Sequence, residues 1–153
     1  MYIFFSASAY TVFSGSDGVA TAWFSPVGQY VEFRLRTCNA SKAVIHLATV
    51  PRQTDTTGYD IMLTNTISTV VRRSTSNSVT ANTPGLLDCV HLNKYWITWT
   101  LSGVVTVGKG KLGNNIFMEL KDVNADLVTA ASVSTTSGVG EWQIAEETGL
   151  CSG

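Results

Sequence analysis

The sequence predicts an all-β protein, two antiparallel sheets packed face to face as a β-sandwich. Three observations carry this. Serine and threonine supply 15 and 20 of the 153 residues while charged residues supply only 14%, and such hydroxyl-rich composition suits the solvent face of strands better than helices. Several segments alternate apolar and polar residues with period two, the pattern of a half-buried strand. No stretch as long as ten residues holds a helical period, so the short apolar segments separated by Gly, Asn, Asp, Ser and Thr read as strands joined by hairpin-length connections.

Taken in order, Ala9–Phe13 and Val19–Phe24 are strand candidates joined by Ser14-Gly15-Ser16-Asp17-Gly18, a turn-forming cluster. Gln29–Thr37 alternates cleanly: Val31, Phe33 and Leu35 share one face, and Tyr30, Glu32, Arg34 and Arg36 the other. Ala43–Val50, Tyr59–Leu63 and Ser68–Arg73 follow as shorter apolar runs. Lys94–Ser102 sets Tyr95, Ile97, Trp99 and Leu101 against Trp96, Thr98 and Thr100, and Ser102-Gly103 turns the chain into Val104–Val107. Ile116–Lys121 sets Ile116, Met118 and Leu120 against Phe117, Glu119 and Lys121, and Leu127–Ser134 and Glu141–Glu146 complete the set.

A 44% hydrophobic share excludes a disordered chain. No linker, repeat or charge run divides the sequence, and Pro26, Pro51 and Pro84 lie between apolar segments, so residues 1–153 read as a single domain. Ten basic residues against eleven acidic ones leave a net charge of −1, which offers no global field for nucleic acid or an anionic membrane. Apolar runs of a few residues fall far short of the roughly 20 that span a bilayer, so membrane insertion is not expected. The opening Met1–Phe5 lacks the basic start and cleavage site of a signal peptide.

Cys38, Cys89 and Cys151 form an odd set without CxxC spacing, unlike a zinc ribbon or a thioredoxin-like pair. Two readings stay open: three reduced thiols packed as small hydrophobes, or a Cys38–Cys89 bridge that leaves Cys151 free to link two subunits as a homodimer. Asn39-Ala40-Ser41 is a formal glycosylation sequon. Gly108-Lys109-Gly110-Lys111-Leu112-Gly113 matches GxGxxG, but another strand follows where a dinucleotide site needs a helix, so these glycines read as positive-φ residues of a hairpin loop. The two histidines, His46 and His91, limit acid–base and metal chemistry, Cys89-Val90-His91 alone supplies too few ligands for a zinc site, and no GxSxG elbow supplies a nucleophilic serine.

Asp122-Val123-Asn124-Ala125-Asp126 places oxygen-bearing side chains at alternate positions, beside Glu119. Calcium takes six to eight oxygen ligands, so Glu119, Asp122, Asn124 and Asp126 are the candidate metal ligands; the alternative is an acidic, solvated loop. The run from Ser134-Thr135 through Gly140-Glu141-Trp142 brings hydroxyls and a carboxylate up to an indole. A sugar combines hydroxyls with an apolar C–H face, so it wants both kinds of partner. Thr135, Glu141 and Trp142 are therefore the candidate carbohydrate-binding residues, with a second reading of Trp142 as a core residue of the last strand.

Tyr59-Asp60-Ile61, the Asn65-Thr66 turn and Ser68-Thr69-Val70-Val71-Arg72-Arg73 form one group of signature residues. Tyr95-Trp96-Ile97-Thr98-Trp99, Gly103 through Gly110, Asp122, and Ser134-Thr135 through Trp142 form the rest. On these residues the chain resembles, from Val19 to Ile144, the farnesoic acid O-methyltransferase-like domain family. The resemblance implies a secreted all-β module with carbohydrate binding in lectin-like members rather than methyl transfer. Leu63-Thr64 stands where that pattern has Gly-Trp, and Thr136-Ser137-Gly138 where it has Gly-Trp-Gly.

The expectation is an extracellular, non-enzymatic lectin of β-sandwich fold that uses calcium to engage the hydroxyls of galactose-like terminal sugars. A homodimer would raise its avidity. The alternative is an extracellular structural or protein-interaction module without a sugar site.

Overall fold

The computed structural model describes residues 3–21, 23–38 and 40–151, and side chains within 9–145. No described residue is helical, and no helix is long and apolar enough to cross a membrane. The strands are β1 (Ile3–Ser14), β2 (Tyr30–Thr37), β3 (Lys42–Ala48), β4 (Tyr59–Leu63), β5 (Ile67–Arg72), β6 (Ser78–Asn82), β7 (Asn93–Trp99), β8 (Val104–Lys109), β9 (Ile116–Lys121), β10 (Ala130–Thr136) and β11 (Gly140–Cys151). They form a six-stranded sheet in the order β1-β11-β2-β7-β8-β9 and a five-stranded sheet in the order β10-β3-β4-β5-β6. Every strand pair is antiparallel.

Alternation decides which side chains enter the space between the sheets. Val31, Phe33 and Leu35 of β2, Tyr95, Ile97 and Trp99 of β7, and Trp142 and Ile144 of β11 meet Ile45, Leu47, Ile61, Leu63 and Val133 from the other sheet in one core cluster. Phe33 stacks on Tyr95 with centroids 5.5 Å apart and meets Trp142 at 5.6 Å, each contact worth about 0.5–1.5 kcal/mol beyond the area buried. The Tyr95 hydroxyl donates to the Leu86 carbonyl at 2.6 Å, so the buried phenol is satisfied, and burial pushes its pKa up to about 12.

Three local differences from the sequence reading have physical causes. Strand β6, Ser-Val-Thr-Ala-Asn, escapes a pattern search because it is a polar edge strand with little apolar signal. The described residues of segment 19–24 bond β10 at separate points instead of forming a strand, because among them Thr21 and Phe24 alone bring backbone groups to it: Thr21 N–H donates to the Val133 carbonyl, and Phe24 bridges Ala131. Of the glycine cluster, Gly110 and Gly113 do take positive φ, but Gly108 lies in β8 for a different reason. A Cβ there would fall 2.2 Å from the Trp96 indole, which lies across that strand.

Cys38 and Cys89 form a disulfide across 51 residues of chain, so the bridge reading holds. Closing a loop of that length removes roughly 4 kcal/mol of unfolded-state entropy in the chain-entropy account. Asn39 of the sequon lies outside the described residues. The Cys151 backbone pairs with Ile3 at the end of the β1–β11 ribbon, and its side chain lies outside the described set.

Candidate functional site

The side chains expected to bind sugar near the last hairpin are turned inward or paired. Trp142 is 0% exposed and donates its indole N–H to Ser14 Oγ at 2.9 Å. Thr135, also 0% exposed, is 2.5 Å from the same hydroxyl and donates to the Gly15 carbonyl at 2.8 Å. These contacts fasten the turn after β1 to β10 and β11, leaving neither group to a ligand. Glu141 is on the opposite face of β11, where it accepts from Arg36 at 2.6 Å.

The acidic loop also converges, but on a cation that the chain supplies. Arg72 donates to Asp126 through both Nε and Nη2, at 3.1 and 2.9 Å, and its Nη1 is 3.2 Å from Asp122. Asp126 further accepts from the Gly58 N–H at 2.9 Å, and Asp122 from the Asn77 amide at 3.1 Å. The Arg72 hydrogen bonds hold the Asp126 carboxyl below the usual carboxylate range, and the Asn77 amide, then Arg72, do the same for Asp122. Glu119 instead pairs with Lys121 at 3.3 Å, and Asn124 is exposed. Among the described residues no group of three His, Cys, Asp or Glu side chains is disposed to hold a metal. The four expected ligands do not fit calcium, because a guanidinium already bridges the two aspartates that come together. No sequence spacing announced Arg72 as their partner, since it arrives from β5.

On the outward face of the five-stranded sheet, three adjacent strands bring Ser134, His46 and Asp60 into line. His46 Nε2 is 2.9 Å from Ser134 Oγ, and Nδ1 is 3.0 Å from Asp60 Oδ1. The spacing is that of a hydrolytic triad, but Ser134 is 1% exposed in mid-strand and the Trp23 ring packs near His46 at 6.4 Å. No substrate carbonyl reaches the hydroxyl. Arg73 donates to Asp60 at 2.5 Å; burial raises the Asp60 pKa, but the His46 hydrogen bond and the Arg73 charge outweigh it and leave the carboxyl below its ordinary value. The cluster is a closed, mutually satisfied polar network.

The outward face of the six-stranded sheet is different. The β1–β11–β2–β7 register aligns Thr11, Gln143, Arg34 and Lys94 in one cross-strand row, and Phe13, Glu141 and Arg36 in the next. Two small side chains, Ala9 and Ala145, lie opposite each other and leave a hollow of 260 Å³ bordered by Gln143, Arg34, Glu32 and Lys94. Lys94 Nζ reaches Glu32 at 2.9 Å, which fixes that wall. Among the described residues Arg34 and Gln143 have no side-chain partner, so their planar donors and acceptors are available to a ligand. Phe13, 70% exposed, offers an aromatic surface beside the Glu141–Arg36 pair. Sequence alternation already placed Glu32, Arg34 and Arg36 on one outward face. What it lacked was Gln143, brought alongside by a strand more than a hundred residues later.

Comparisons with known proteins agree on the architecture. The legume lectin-like domain from Entamoeba histolytica superposes with a TM-score of 0.57 at 8% identity, over 99% of this chain and 90% of that one. The exo-inulinase from Aspergillus awamori gives 0.59 at 15% identity, over 94% of this chain and 29% of that one. The binding domain of botulinum neurotoxin DC in complex with SialylT gives 0.57 at 7%, over 95% and 42%. The chain thus spans less than half the length of the latter two. At such identities the likeness is one of fold. No curated protein matches the chain. A family model does, along residues 4–148. The chain belongs to the family described as farnesoic acid O-methyl transferase.

Proposed function

We propose that this protein is a carbohydrate-binding module that holds its ligand without altering it, and that the alanine-floored hollow of the six-stranded sheet is the binding site. One observation carries the reading: among the described residues Arg34 and Gln143 stand unpartnered around a depression built by two alanines, beside the paired charges Glu32–Lys94 and Arg36–Glu141. A hollow of 260 Å³ is just under the roughly 300–1,000 Å³ of drug-sized ligand sites and suits a single sugar ring. Planar guanidinium and amide groups make paired hydrogen bonds to neighbouring hydroxyls, which fix orientation without requiring a charged ligand. Lectin-like and inulinase folds among its structural neighbours support a sugar as the ligand.

Our reading for the sugar is a galactose-like terminal residue, whose C–H patch would rest on the alanine floor of Ala9 and Ala145. The binding is calcium-independent, because Arg72 takes the position between Asp122 and Asp126 that a cation would need. Secretion accords with the Cys38–Cys89 disulfide, a bond that persists in oxidising compartments. A homodimer would add avidity to a weak single site.

A glycan array probed with the wild type, R34A and Q143A, each with and without EDTA, tests the reading. Expected are binding to terminal galactosides by the wild type, at least a tenfold loss in either variant, and no effect of EDTA. An array left blank by folded wild-type protein would favour a structural or protein-interaction module. Loss of binding in EDTA would restore calcium to the mechanism.

A further inference from the structure

Strand β11 pairs with β2 only as far as Ile144 opposite Phe33, then continues with β1 alone to Cys151 opposite Ile3. The two-stranded ribbon therefore parts from β2 alongside Tyr30–Glu32, and a second cavity opens at that parting. It measures 340 Å³ and is lined by Tyr10, Phe24, Val27, Tyr30, Val31 and Ile144, among others. Among the described residues none that lines it is charged. Tyr10 and Phe24 meet edge to face at 6.0 Å, forming an aromatic corner.

Ala145 borders this cavity and also the polar hollow, and successive residues of β2 divide between them: Tyr30 and Val31 line the first, Glu32 and Arg34 the second. A ligand seated against Arg34 and Gln143 thus has beside it, across Ala145, an aromatic recess whose described lining carries no charge. We infer that the full site takes an amphipathic glycoside, with the sugar in the hollow and an apolar group joined to it in the recess between β2 and the β1–β11 ribbon. The inference rests on the sugar-binding reading and adds to it the class of ligand. An alkyl chain and an aromatic ring both satisfy the chemistry of the aromatic and aliphatic side chains described there, which take apolar atoms out of water.

Titration calorimetry with methyl, octyl and phenyl β-galactoside, each kept below its micellar concentration, tests this and separates the two sources of apolar group. The octyl or the phenyl glycoside should bind at least about tenfold tighter than the methyl glycoside, the gain expected from burying a few carbons. A lead for octyl assigns the recess to lipid-like chains, and a lead for phenyl to aromatic aglycones. Val27 is 69% exposed at the mouth of the recess, so V27E tests it without disturbing the core; the ratio of octyl or phenyl to methyl affinity should fall to about one. Equal affinities for all three glycosides in the wild type would overturn the inference and leave the sugar reading standing. Absence of binding by all three, from folded protein, would overturn both.

Discussion

On the outward face of the five-stranded sheet, Ser134, His46 and Asp60 hydrogen-bond in a row near Trp23, and Arg73 bonds Asp60 while its other N–H groups go to the carbonyls of Leu47, Asp55, Thr57 and Tyr59. On the outward face of the six-stranded sheet, Glu32 and Lys94 pair, Arg36 and Glu141 pair, and Arg34 and Gln143 remain open around two alanines. Residue types are similar on the two faces, yet their consequences differ. A polar group whose partners all come from the same chain stiffens a fold, whereas one left facing a hollow is available to something else. The Arg72–Asp122–Asp126 cluster belongs with the first kind, although its aspartates look from sequence like the second.

The largest effect that would sharpen this contrast is the loss of Arg72. Its side chain is 9% exposed between two carboxylates, and removing one member of a buried ionic group costs about 3 kcal/mol or more because the remaining charges lose their partner. R72A should lower the urea midpoint accordingly, while the variant that still folds keeps its glycan binding. If R72A were as stable as the wild type but lost the sugar, the acidic loop would be part of the site after all.

A smaller effect divides the two faces directly. S134A leaves His46 Nε2 buried without its partner, a loss of about 2 kcal/mol, and should leave sugar affinity unchanged. R34A should do the reverse, lowering affinity at constant thermal midpoint. An exchange of these two phenotypes would mean that the open and closed faces have been assigned the wrong way round.

The smallest effect is with pH. Asp60, Asp122 and Asp126 are held below their ordinary carboxylate values, and Asp55 and Asp88 lie at about 2. Burial opposes the shift at Asp55, but the N–H groups of Val50, Thr57 and Thr49 and the Thr57 hydroxyl outweigh it. At Asp88 the Val90 N–H, the His91 side chain and the His91 N–H lower it. Between these values and the unfolded value of about 3.9, the unfolded chain binds more protons, so stability rises with pH across that window and is fully present above it. Urea midpoints followed from pH 7 downward should show these carboxylates contributing no loss until about pH 5, then a progressive one. A midpoint that began to fall near pH 6 would point to a different titrating group.

Much of this fold is legible in sequence because strand alternation is local. Val31, Phe33 and Leu35 go inward as their spacing requires, and Tyr59–Leu63 and Ile116–Lys121 begin and end where their patterns do. β6 was invisible because an edge strand of small polar residues needs little apolar signal. Trp142 illustrates the limit for site residues: the sequence pairs it with hydroxyls, and only packing decides that Ser14 and Thr135 close around it inside the sandwich. Asp122 and Asp126 likewise look available until Arg72 is brought from another strand.

The sequence alone therefore determined the fold class and the inward and outward sets of each well-patterned strand, because those follow from residue type and short-range period, and its signature residues carried the resemblance to the family. It narrowed the cysteines to two readings. Which strands became neighbours was decided by tertiary structure: β11 between β1 and β2 put Gln143 beside Arg34, and β5 delivered Arg72 to the acidic loop. Pairings across so much intervening chain arise from the burial of two whole sheet faces at once, and no local pattern encodes which side chain will find a partner and which will be left open.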